Sequence, residues 1–85
     1  MKITITFKNG NTGESYDIAM DSRQRIETTL RVMKENLPGS MEGIGDRPQL
    51  RSDRTGRRLS EQSTYEESHI YTGDILLVSG EKDKK

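Results

Sequence analysis

The side chains able to do chemistry are few, and their spacing does not assemble them. His69 is the single histidine, so any nucleophile, base and orienting group would have to be drawn from serines and aspartates scattered without a motif. It reads as a surface or loop residue. Glu66, Glu67 and Asp74 carry oxygen ligands for a hard cation, but without the close recurrence of a calcium-binding loop. Asp74 fits better as the organiser of the turn at Gly73, through hydrogen bonds to its own backbone neighbours. Gly39, Gly43 and Gly45 invite a phosphate-loop reading that fails, because no strand precedes them and no helix with Lys and Ser or Thr follows. There is no cysteine, which removes thiol catalysis, disulfides and sulfur-ligated metals. Neither an enzyme activity nor a metal or cofactor is expected.

The chemistry that remains is recognition. Arg47, Arg51, Arg54, Arg57 and Arg58 crowd one stretch, offset only by Asp46 and Asp53. If Leu50 and Leu59 point into a core, several of these guanidinium groups share the outer surface, which suits an acidic protein partner or a phosphate group. No aromatic side chains interleave with them to stack bases, so nucleic acid is not the expected ligand. Over the whole chain, fourteen basic and fourteen acidic residues cancel, and the global pull toward polyanions is weak. Tyr65 and Tyr71 flank the loop around His69, and a tyrosine exposed there would contribute contact area at low entropic cost. Met41 and Ile44, in the glycine-rich 38–47 loop, stand either as anchors or as exposed apolar points, and the loop is a candidate for binding plasticity.

These residues must be held by elements that the apolar spacing predicts. Ser22 to Leu37 is the one segment long enough for a substantial helix, with Ile26, Thr29, Leu30, Met33 and Leu37 on one stripe. Asp21 and Gln24 have the spacing of a capping box, and Pro38-Gly39 ends the helix. Residues 2–7 alternate cleanly, a turn follows at Asn9-Gly10-Asn11-Thr12-Gly13, and alternation resumes at Tyr16, Ile18 and Met20, which makes an antiparallel hairpin. Residues 48–51 and 57–59 are short strands around a turn at 53–56, and 63–68 holds a single helical turn. Ile75 to Val78 is the most apolar strand and takes the sheet centre, with Leu76 and Val78 toward the helix and Ile75 and Leu77 on the open face. A central last strand beside the first must run parallel to it, across the helix-containing connection. The class is α+β, a mixed sheet of four to five strands packed on one helix.

In this pattern the chain resembles the ubiquitin-like, β-grasp proteins. The likeness is carried by Ile26-Glu27, Leu50, the turn ending at Gly56, Arg57-Arg58-Leu59, Thr64, Ile70 and Gly73-Asp74 leading into Ile75–Val78. Within that superfamily it is most similar to the small YukD-like (EsaB-like) proteins of Gram-positive type VII, or WXG100, secretion systems, through its ITITF first strand, polar hairpin turn and Gly73-Asp74-Ile75-Leu76 entry. The resemblance implies a cytoplasmic, bacterial, non-catalytic module that binds protein, an accessory or regulatory component whose partner is a membrane component of the secretion machinery, with no insertion into the membrane itself.

Two departures matter. The end, Asp83-Lys84-Lys85, lacks the Gly-Gly of conjugated relatives, which disfavours the alternative of a covalent modifier or sulfur carrier; a small nucleic-acid-binding protein is the other alternative. Arg51 stands where ubiquitin's apolar recognition patch would continue. The expected domain spans 1–79, with 80–85 a disordered tail, and the candidate protein-binding residues are Arg51, Arg54, Arg57, Arg58, Tyr71, Ile75 and Leu77.

Overall fold

A computed structural model describes residues 1–45 and 48–80. The strands are β1 (Lys2–Asn9), β2 (Ser15–Asp21), β3 (Gln49–Ser52), β4 (Arg58–Leu59) and β5 (Ile75–Ser79), with one α-helix, α1 (Ile26–Asn36), and a 3-10 turn at Pro38–Met41. They form a five-stranded sheet in the order β2-β1-β5-β3-β4. β1 pairs antiparallel with β2 and parallel with β5, and β3 is antiparallel to both β5 and β4. The last strand is therefore central, as its composition requires. Ile3, Ile5 and Phe7 of β1 and Leu76 and Val78 of β5 meet Ile26, Leu30 and Met33 of α1 in one buried cluster.

The helix differs from expectation at both ends. It starts at Ile26 rather than Ser22, because Arg25 is extended and bridges to Thr64, while the first helical amides are satisfied by backbone: Ile26 N donates to Ser63 O at 3.0 Å and Glu27 N to Glu61 O at 2.8 Å. No side chain caps it. Asp21 instead closes a turn, its carboxylate accepting from Arg23 N at 2.9 Å and its carbonyl from Gln24 N at 2.9 Å. At the other end Leu37 leaves the buried stripe and is 39% exposed, since the following Pro38 holds it out of helical geometry.

The 38–45 segment also corrects an expectation. Met41 and Ile44 are both buried, so they anchor the segment and supply no exposed apolar surface for plastic binding. Asn9 seats the segment on the hairpin, its Nδ2 donating to Ser40 O and Glu42 O, both at 3.0 Å. Gly80 belongs to the packed unit as well: a Cβ there would lie 2.5 Å from Gly43 O. Of the tail expected over 80–85, Gly80 is thus part of the packed unit and residues 81–85 lie outside the described residues.

Tyr65 is fully buried, edge-on to Phe7 with ring centroids 6.5 Å apart. Its hydroxyl has no hydrogen-bond partner among the described residues. Burial pushes its pKa up, and the nearby Thr29 hydroxyl, already accepting from Gln24 Nε2 at 2.6 Å, offsets only part of that without reaching bonding geometry. An unpaired buried hydroxyl costs about 1–3 kcal/mol. Tyr65→Phe is therefore expected to raise the urea midpoint at unchanged slope, a gain of roughly 1 kcal/mol. A fall in the midpoint would show that the hydroxyl is satisfied.

Candidate protein-docking face

The helix covers one side of the sheet and leaves the other open. Alternation decides what the open side displays: with Phe7 and Asn9, Leu76 and Val78, and Leu50 and Ser52 buried, the residues between them point away from the helix. Register then sets them in a single row across all five strands, Ser15, Lys8, Leu77, Arg51 and Arg58. Leu77 is half-buried and sits between Lys8 and the arginines. Gly10, Gln49, Leu50, Arg51, Arg58, Leu77 and Ser79 line a hollow of about 220 Å³ at this end of the face. Gly10 packs tightly against β5 at the edge of this hollow, where a Cβ would stand 3.2 Å from Ser79 Cβ.

The electrostatics of the row are unusual. Arg51 and Arg58 are direct cross-strand partners, an arrangement in which like charges destabilise a sheet by roughly 0.2–1 kcal/mol relative to a neutral pair. Neither arginine, nor Lys8, has an ion-pair partner among the described residues. A local rule is broken here with no compensation inside the fold, which is a mark of surface kept for something outside it.

The candidate residues do not all gather at this place. Arg51, Arg58 and Leu77 share the row, and Ile75, 37% exposed, lies on the same face next to Thr6. Arg54 is committed elsewhere, with Nε donating to Asp74 Oδ1 at 2.9 Å and Nη2 to Asp74 Oδ2 at 3.3 Å and His69 O at 3.2 Å. It holds the turn before β5 and is not a free docking cation. Arg57 and Tyr71 line a separate hollow beside Arg54 and His69, and Tyr71 is 58% exposed. Arg47 lies outside the described residues. Lys8, Gly10 and Gln49 were not singled out in the sequence; alternation in β1 marks Lys8 as outward, but only the parallel pairing of β1 with β5 brings it to Leu77.

Asp74 organises its turn as its type suggests, accepting Tyr71 N at 2.9 Å on Oδ2. Burial alone pushes its carboxyl up, but the Arg54 hydrogen bond, the Tyr71 amide and the Arg54 charge together outweigh that and hold it below its ordinary value. A depressed folded pKa means stability that is present above the unfolded pKa of about 4 and lost as pH falls through the folded value. An acid titration of stability should show this component in the wild type and a flatter limb in Asp74→Asn; parallel limbs would show that the Asp74 contacts contribute nothing.

Among the described residues no cluster of three or more His, Cys, Asp or Glu is placed to hold a metal ion, and no helix is long and apolar enough to cross a membrane. No family model matches the sequence, and no curated protein does. Solved structures match the fold. A protein designed on the basis of ubiquitin is 19% identical over 98% of this chain and 93% of its own, with a TM-score of 0.72. The ubiquitin-like domain of yeast Ddi1 is 17% identical over 99% and 94%, with a TM-score of 0.70. The EccD5 ubiquitin-like domain from Mycobacterium xenopi is 18% identical over 99% of each chain, with a TM-score of 0.69. The chain has the ubiquitin-like β-grasp fold.

Proposed function

We propose that this ubiquitin-like chain is a non-catalytic interaction module, an accessory or regulatory component of a bacterial type VII secretion system that acts in the cytoplasm and docks an acidic surface of a membrane component of that machinery. The observation that carries the docking surface is the unneutralised Arg51 and Arg58 pair beside Leu77 and Lys8. Each guanidinium presents a planar fork of donors that matches a carboxylate in two parallel bonds. Leu77 gives the partner an apolar contact between the charges, and the basic row draws an acidic partner in during encounter. The placement in secretion rests on the resemblance to YukD-like proteins, and the fold likeness to a mycobacterial ubiquitin-like domain is in keeping with it.

Affinity capture from membrane and cytosolic extracts tests this, with the wild-type chain beside Arg51→Glu/Arg58→Glu. The expected result is specific recovery of a secretion-system membrane component by the wild type and its loss with the variant. Equal recovery by both chains removes the face from the reading. Covalent adducts of the intact domain would replace it with a modifier, and a nucleic-acid affinity steeply dependent on salt would replace it with a polyanion binder.

A further inference from the structure

We propose that Asn9 is a sealed deamidation site, closed by the fold and converted irreversibly when the hairpin turn separates from the 38–45 segment. The chemistry starts from the Asn9-Gly10 sequence. Gly10 has no side chain to hinder its amide nitrogen from approaching Cγ of the preceding asparagine. That nitrogen attacks Cγ, a C–N bond forms, the Cγ–Nδ2 bond breaks, and the departing nitrogen leaves with the displaced proton as ammonia. Water then opens the cyclic imide at one carbonyl or the other, giving aspartate or isoaspartate. The balance is one water consumed and one ammonia released, with no enzyme or cofactor.

The fold holds every group this step needs. Asn9 is 2% exposed although it ends a strand beside a surface turn. Its Oδ1 accepts Asn11 N at 2.7 Å and Thr12 N at 3.1 Å, while Nδ2 is shared between Ser40 O and Glu42 O. The nucleophile is tied as well, because Gly10 N donates to Val78 O at 2.7 Å. Ring closure therefore requires the turn to leave β5 and the side chain to leave the 38–45 segment together. Asn11 bars the same exit, its Nδ2 donating to Gly43 O at 2.6 Å.

Conversion would be one-way in structure as well as in chemistry. A carboxylate at position 9 sets an oxygen against Ser40 O and Glu42 O, two acceptors facing an acceptor in a buried place, where unpaired polar groups are most costly. The isoaspartate product also lengthens the main chain where Asn9 pairs with Val78. Each opening of this corner thus carries a chance of permanent loss of the contact that seats the 38–45 segment.

The test follows the mass of the peptide containing Asn9 after incubation of the full chain at one mildly alkaline pH, native and in urea. Native conversion is expected at least about 100-fold slower, since the corner must open by a substantial fraction of the global stability. Gly43→Ala, which crowds Asn11 Nδ2 to 2.8 Å at a positive φ, is expected to speed conversion in the folded chain. Deamidated chain, isolated and returned to native buffer, should show lost hydrogen-exchange protection at Gly10, Asn11 and Thr12. Equal rates in buffer and urea would overturn the seal, and full recovery of protection by the deamidated chain would overturn the one-way consequence; neither readout needs a variant that folds poorly.

Discussion

Arg51→Glu alone is expected to stabilise the domain while abolishing its docking, two effects of opposite sign from one substitution. In the wild type Arg51 faces Arg58 across β3 and β4. The substitution turns a repulsive cross-strand pair into an attractive one, a change of about 0.2–1 kcal/mol in favour of the folded state. The same change sets a carboxylate against an acidic partner and leaves that partner's own carboxylate without its fork. Losing such a pair costs about 2–5 kcal/mol, so affinity should fall at least about 30-fold. Adding Arg58→Glu restores the like-charge pair with the opposite sign, and stability should return to within about 0.5 kcal/mol of the wild type while binding stays lost. Urea unfolding and titration of one partner against the three proteins separate these outcomes. If Arg51→Glu lowers stability, Arg51 has a structural partner and the docking reading loses its main support.

How much of this was legible in the sequence depends on the range of the interaction that fixes each residue. The hairpin, the helix body and the central strand follow from period-two and period-3.6 spacing, because a half-buried element writes its own pattern. The helix start does not. Ser22, Arg23 and Gln24 carry helix-compatible types and a capping spacing, yet the carbonyls of Glu61 and Ser63 take the amides of Ile26 and Glu27 and fix the boundary from across the chain. Tyr65 is hidden for a similar reason, a deeply buried ring between Thr64 and Glu66 with no periodic partner to announce it. The arginines look like one patch in sequence because they are adjacent there. A turn residue such as Arg54 is free to swing to Asp74, whereas Arg51 and Arg58 are held outward by strand alternation. The row itself is a product of register: the parallel pairing of the first and last strands follows from the pattern, but that Lys8 stands beside Leu77 does not.

Leu76→Ala and Leu77→Ala, neighbours on the central strand, are expected to separate folding from binding. Leu76 is 1% exposed and pairs with Phe7 on one side and Ser52 on the other. Truncating a leucine there costs about 2–5 kcal/mol in transfer and cavity terms together. A domain of this size holds roughly 5–10 kcal/mol, so the loss takes a large share of its stability, and the urea midpoint should drop sharply. Leu77 points to the open face and is only half-buried. Its truncation leaves solvent where the side chain was, not a cavity, and should cost about 1 kcal/mol or less, close to an ordinary surface change. Binding should show the reverse ranking. Leu76→Ala keeps the open face intact in whatever fraction of chains remains folded, and affinity corrected for that fraction should be unchanged. Leu77→Ala removes the apolar contact between Lys8 and Arg51 and should weaken docking about tenfold, the scale of one buried aliphatic side chain. Chemical unfolding and partner titration on the same preparations give both rankings. If Leu77→Ala destabilises the domain as much as Leu76→Ala, the side of the sheet away from the helix is already covered in the folded chain, and the row of Lys8, Leu77, Arg51 and Arg58 is not available to a partner.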